Sequence, residues 1–131
     1  MNTSKSTALR VLAADDNPVN QKLIVAALKQ LGHQGVVVSD GEKALRCLSQ
    51  LSFDVLLLDV QMPVMDGLEA LASIRKQELQ GKPHLPVIMV TANDVPGDRE
   101  RYLKQGADGY VAKPVDIALL DAEIKRVLRR L

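Results

Sequence analysis

The chain has 131 residues, the length of one domain with room for a sizeable core. Apolar residues make up 47% of it and charged residues 25%, which excludes a disordered or fibrous polypeptide. A formal charge of +1 excludes the strong basic footprint of a binder of nucleic acid or anionic membrane.

With no Trp, one Phe (Phe53) and two Tyr (Tyr102 and Tyr110), the core has to be aliphatic. The one cysteine, Cys47, cannot form an intrachain disulfide or a metal cluster, so a reduced, cytoplasmic setting is expected. No apolar run reaches the ~18 residues that span a bilayer. The opening "MNTSKST" lacks an apolar signal core and reads as a short disordered leader over residues 1–7, ahead of one domain over residues 8–131. The basic residues Lys125, Arg126, Arg129 and Arg130 read as partners of a helix dipole in a last turn.

Five apolar runs alternate with five helical patterns. Leu9–Ala14 reads as the first strand, followed by a helix that opens near Pro18 and closes at Gly32. Val36–Ser39 precedes a helix from about Gly41 to Leu51. Val55–Leu58 precedes a helix from Leu68 to about Gln77, and Val87–Thr91 precedes a polar helix from about Gly97 to Gln105. Tyr110–Ala112 precedes a helix carrying Ile117, Leu120, Ile124, Val127 and Leu131, spaced three or four apart. Alternation of this kind predicts right-handed βαβ units and a doubly wound parallel sheet, an α/β fold.

Ligands of open parallel sheets bind beyond the carboxyl ends of the strands. At those ends stand Asp15 and Asp16, Asp59, Thr91, and Lys113 followed by Pro114. Each has an ordinary reading when taken alone: a helix cap for Asp15 and Asp16 before Asn17-Pro18, a turn acid for Asp59, a β-former for Thr91 and a surface amine for Lys113. Four strands that all end in such groups point instead to one cluster. Crowded carboxylates raise one another's pKa values, and a hard divalent cation relieves the repulsion. With a lysine and a hydroxyl beside them, these acids suit phosphoryl transfer, where positioning and charge neutralisation do most of the work. Aspartate can itself accept the phosphoryl group.

The motifs "VLAADDNPVNQKL", "LLLDVQMPVMDGLEA", "PVIMVTAN" and "GADGYVAKPV", in that order, resemble those of response regulator receiver domains of two-component phosphorelays. The details, especially "DDNPVNQ" and "DVQMPVMDG", look most like receivers attached to hybrid sensor histidine kinases. The resemblance implies a flavodoxin-like five-stranded sheet of order 2-1-3-4-5 with five helices. It implies Asp59 as phosphoacceptor, with Asp15, Asp16, Asp59 and the backbone carbonyl of Gln61 around Mg²⁺ (Mn²⁺ as a substitute). Thr91 becomes the switch hydroxyl, Lys113 the charge partner on a cis Lys113–Pro114 bond, and Tyr110 the aromatic switch. Gln61 and Asn93 become residues that tune dephosphorylation.

The phosphodonor implied is a histidine kinase or a histidine phosphotransfer domain, because neither His33 nor His84 sits on a helix as a donor would. Implied too are a signalling module rather than an enzyme, no contact of this domain with nucleic acid or membrane, and a monomer or weak phosphorylation-linked dimer. The setting is cytoplasmic, either free or as the cytoplasmic part of a membrane sensor kinase.

Two rival functions use the same residues. A phosphatase of the haloacid dehalogenase type would pair Asp59 with a second acid two residues on, where this chain has Gln61. A pseudo-receiver interaction module would not need the complete set Asp15, Asp16, Asp59, Thr91 and Lys113. A flavin site, suggested by the shared architecture alone, is weaker still, since fold does not fix function.

Overall fold

The computed structural model describes residues 8–92 and 95–129. The expected leader over residues 1–7, Asn93, and the last residue of the final helical pattern, Leu131, lie outside the described residues. Strands and helices alternate as β1 (Arg10–Ala14), α1 (Pro18–Gln30), β2 (Gln34–Val38), α2 (Gly41–Gln50), β3 (Val55–Asp59), α3 (Gly67–Glu78), β4 (Val87–Thr91), α4 (Asp98–Lys104), β5 (Gly109–Ala112) and α5 (Ile117–Arg129). The strands form one parallel sheet of order β2-β1-β3-β4-β5.

Alternate residues of each strand point to opposite faces, and helices cover both. Val11, Ala13, Val55, Leu57, Ile88 and Val90 pack beneath α1 and α5, against Ile24, Leu28, Leu120 and Ile124. Leu12, Leu56, Leu58 and Met89 face the other way, toward Ala44, Leu71, Ile74 and Tyr102 of α2, α3 and α4. Cys47 packs at the margin of this second core, as do Met62 and Met65. The central strand β3 is buried along its whole length, which is why "VLLL" is apolar without alternation.

Register carries the chemistry to one edge. Ala14 pairs with Leu58, Asp59 with Val90, and Thr91 with Ala112. The residues that follow or end these strands, Asp15, Asp59, Thr91 and Lys113, are therefore brought level with one another.

Boundaries differ from expectation where backbone pairing outruns side-chain pattern. Strand β2 starts at Gln34, two residues before the apolar run, because the Gln34 amide donates to the Leu9 carbonyl at 2.8 Å. Gly35 then fits against α1, where a Cβ would lie 2.8 Å from Leu28 Cδ1. Helix α3 begins one residue early, at Gly67, because Asp66 caps it in a capping box with Glu69. No helix among the described residues is long and apolar enough to cross a membrane.

Candidate functional site

Helix α1 is capped by Asn17, whose side chain accepts from the amides of Val19 at 2.8 Å and Asn20 at 3.1 Å. That leaves the neighbouring acids without a capping task. Asp15 is fully buried; its Oδ1 accepts from the Asn17 amide at 2.9 Å and its carbonyl from Gln21 Nε2 at 2.6 Å. Asp16 is exposed. Asp59 ends β3 with only 4% of its surface exposed. Carboxylate oxygens of these three residues all lie within 4.8 Å of one another.

Lys113, arriving from β5, places its Nζ 3.0 Å from Asp15 Oδ2 and 3.0 Å from Asp59 Oδ2. The contact to Asp59 is a hydrogen bond, and that to the buried Asp15 an ion pair. Burial pushes the Asp59 carboxyl above its ordinary range; Lys113 opposes this and Asp15 adds to it. Burial alone would lower the Lys113 ammonium, but the two carboxylates outweigh it and hold it above its usual value. Three carboxylates facing one ammonium leave negative charge in excess, which fits a hard divalent cation.

The acids open into a cleft of about 510 Å³ lined by Asp16, Asn20, Asp59, Gln61, Thr91 and Lys113, among others. Thr91 is buried at the end of β4, and its carbonyl accepts from the Lys113 amide at 2.8 Å. The Lys113–Pro114 bond is cis. The Gln61 amide donates to Asp59 Oδ1 at 3.3 Å. Tyr110 is half-buried, with its ring centroid 5.9 Å from that of Tyr102 on α4. Of the residues expected at the site, Asn93 alone lies outside the described residues.

Neither histidine sits on a helix. His33 Nδ1 accepts from the Leu9 amide at 3.2 Å, and the His84 ring lies between Glu78 and Asp108 at the far end of the sheet.

Three features escaped the sequence pattern. Asn20 of α1 lines the cleft. Gly67 is more than a helix entry, because a Cβ there would collide with the Asp59 carbonyl oxygen. The spacing of Gly67 from Asp59 in "DVQMPVMDG" is the only trace of this in the sequence. Arg126 is more than a partner of the helix dipole, since its guanidinium holds Glu123 through Nε at 2.8 Å and Nη2 at 2.9 Å.

Residues 11–125 match the family model described as response regulator receiver domain. The hybrid signal transduction histidine kinase I of Dictyostelium discoideum is 40% identical over 116 residues, covering 85% of this chain and 7% of that protein. The signal transduction histidine-protein kinase BarA of Escherichia coli K12 is 39% identical over 109 residues, covering 83% of this chain and 12% of that protein. This chain thus spans only a small part of those relatives. Among solved structures, the receiver domain of a sensor histidine kinase from Pseudomonas aeruginosa PAO1 superposes with a TM-score of 0.82 at 38% identity, covering 94% of this chain and 99% of that one. That crystal structure is described as having a magnesium ion coordinated in the active-site cleft. Fold, strand-end chemistry and sequence similarity agree: the chain belongs to the response regulator receiver domain family, the phosphoacceptor modules of two-component signalling.

Proposed function

We propose that Asp59 accepts a phosphoryl group from a phosphohistidine on a histidine kinase or histidine phosphotransfer domain. The observation that carries this reading is the Lys113 ammonium, 3.0 Å from both Asp15 and Asp59 at the tip of a buried strand. As the phosphorus–nitrogen bond of the donor breaks, a bond forms between phosphorus and an Asp59 carboxylate oxygen, and the imidazole leaves with the electron pair. Lys113 keeps its proton and offers its charge to the phosphoryl oxygens, and the Thr91 hydroxyl offers a hydrogen bond from the next strand. Ala92, a small residue, lines the same cleft and leaves room for the donor to approach.

Asp15, Asp16, Asp59 and the Gln61 carbonyl would hold Mg²⁺, with Mn²⁺ as a substitute. When bound, the cation neutralises charge on the transferring group. The excess of three carboxylates over one ammonium and the magnesium described for the Pseudomonas aeruginosa receiver support this assignment.

Water later attacks phosphorus, inorganic phosphate departs and the carboxylate is restored. Gln61 and Asn93 tune that step. The chain is thus a signalling acceptor that assists its own chemistry rather than a turnover enzyme. While Asp59 carries the group, Thr91 and Tyr110 bias the surface of α4, β5 and α5 between two states. The setting is cytoplasmic, either free or as the cytoplasmic part of a membrane sensor kinase, and the domain is a monomer or weak phosphorylation-linked dimer that contacts neither nucleic acid nor membrane.

Acetyl phosphate with Mg²⁺ should label the wild-type chain once, and Asp59→Asn or a chelator should abolish the label. Undiminished labelling of Asp59→Asn, or sustained turnover of a generic phosphate ester, would refute the reading.

A further inference from the structure

Strand β5 is an edge of the sheet, with β4 on one side and, among the described residues, no strand on the other. The Tyr110 amide is taken by a side chain: it donates to Glu123 Oε2 at 2.8 Å. Glu123 lies one helical layer away on α5, and its side chain is only 11% exposed. Its carboxylate also accepts from Arg126 through Nε at 2.8 Å and Nη2 at 2.9 Å. The same Nη2 donates to the Asp108 carbonyl at 2.9 Å, so Arg126 holds β5 at a second point. From α4, Arg99 Nη1 stands 3.8 Å from Glu123 Oε2. One carboxylate thus meets groups from α4, β5 and α5.

The seat for this carboxylate is built into the backbone. A Cβ on Gly109 would collide with Glu123 Oε2 and would come 2.9 Å from Val127 Cγ1 and 3.0 Å from Arg126 Nη2. A glycine inside a strand weakens it and marks a close approach of another group. Here that group is the Glu123 carboxylate. Although burial disfavours its ionised form, Arg126, the Tyr110 amide and Arg99 together hold Glu123 below its ordinary carboxylate range.

A charge-assisted bond to the Tyr110 backbone has a consequence for signalling. Tyr110 lies three residues before Lys113 and packs its ring against Tyr102 of α4. Any displacement of β5 at Tyr110 must drag the Glu123 carboxylate with it or break its bond. Dragging it shifts α5 directly and alters the distance to Arg99 on α4.

We propose that Glu123 is a positioning residue that couples Tyr110 to α4 and α5, so that the state of Asp59 is relayed to this surface through one buried carboxylate. The proposal rests on the phosphoacceptor reading above. It goes beyond that reading by assigning the relay to a residue outside the acidic cluster.

The test is amide NMR of the full chain, with beryllofluoride and Mg²⁺ as the probe of the activated state. In the wild type, amides near Asp15 and Asp59 and amides along α4 and α5 should both shift. In Glu123→Ala the shifts near Asp15 and Asp59 should persist, while the equilibrium constant for the α4 and α5 response, read from the positions of the population-averaged shifts, falls about 2- to 30-fold, the range over which residues away from a ligand alter coupling. Glu123→Gln keeps an oxygen for the Tyr110 amide but loses the ion pairs, and should fall between wild type and Glu123→Ala. A purely structural role would lower melting temperature in both variants without separating the two sets of shifts.

Gly109→Ala provides a second route, because its methyl group displaces the carboxylate while leaving Glu123 in the chain. It should show the same selective loss. A wild-type response of α4 and α5 in Gly109→Ala or in a folded Glu123→Ala would overturn the relay, as would equal loss of both sets of shifts. If the wild type itself shows no shift near Asp59, the phosphoacceptor reading fails first and the relay falls with it.

Discussion

The ammonium of Lys113 sits 3.0 Å from the carboxylate of Asp59, a contact between residues 54 positions apart in the chain. Lys113 is also 3.0 Å from Asp15, so one cation serves two buried acids while exposed Asp16 completes the cluster. The arrangement is under-neutralised by design of its residue types, and its behaviour with and without a divalent cation follows from that.

Removing one of the crowded charges should help the metal-free fold. Burial and the nearby Asp15 both oppose ionised Asp59, so Asp59→Asn should raise the metal-free melting temperature by several degrees. Mg²⁺ at about 100 times its dissociation constant should stabilise the wild type by about 2.7 kcal/mol and the Asn variant far less. Calorimetric melting with and without Mg²⁺ checks both halves; a metal-free Asn variant less stable than wild type would contradict the electrostatic account.

Lys113→Met keeps much of the side-chain length and removes the charge. It should slow labelling by acetyl phosphate about 10²–10³-fold, the cost of losing one preorganised stabilising group. Labelling kinetics under saturating Mg²⁺ provide the measurement. An unchanged rate would mean that Lys113 does not act on the phosphoryl group.

At Gly67 the objection to a side chain is the Asp59 carbonyl itself, which cannot move without disturbing β3. Gly67→Ala should therefore destabilise the domain by about 1–3 kcal/mol, the usual cost of forcing extra atoms into a packed site. Urea denaturation reports the loss directly. A neutral result would show that the β3–α3 turn relaxes freely.

The acid limb of stability should bear the mark of Glu123. This carboxylate is held below its ordinary value of 4.5 in the folded chain by Arg126, the Tyr110 amide and Arg99, against the opposing effect of burial. The unfolded chain therefore binds the proton more readily. The contribution is complete above about pH 4.5, the unfolded value, and is lost as pH falls through the lower folded one. In melting curves taken across this range, Glu123→Gln should be less stable than wild type at neutral pH, with the gap closing toward acid. A gap that is constant with pH would exclude the ionised carboxylate as its source.

Much of this was legible in the chain of letters, and the physical reasons differ from residue to residue. Buried parallel strands are near-continuous apolar runs, so "VLLLD" and "VIMVT" announce themselves and place Asp59 and Thr91 at strand ends. Helix signals are equally local, since a cap and its first turn lie within four residues. Long-range pairing is not encoded locally. The extension of β2 back to Gln34 depends on a ladder with β1, to which the side chains of Gln34 and Gly35 contribute no apolar signal. The choice of Asn17 rather than Asp15 or Asp16 as cap depends on which side chain the chain turns inward, and Asp15 is the one buried. Arg126 looked like a residue for the helix dipole because its Glu123 partner, three residues before it, resembles any exposed helical pair. Only the fold reveals that both are drawn against β5 by the Tyr110 amide and the Asp108 carbonyl.

The most direct test of the account locates the phosphoryl group. A chain labelled with acetyl phosphate and Mg²⁺ is reduced with borohydride, which converts an aspartyl phosphate to homoserine, and peptide mass spectrometry then finds the altered residue. Homoserine at position 59 alone is the predicted result. Homoserine at position 15 or 16, or a label that resists borohydride because it is not an acyl phosphate, would contradict it.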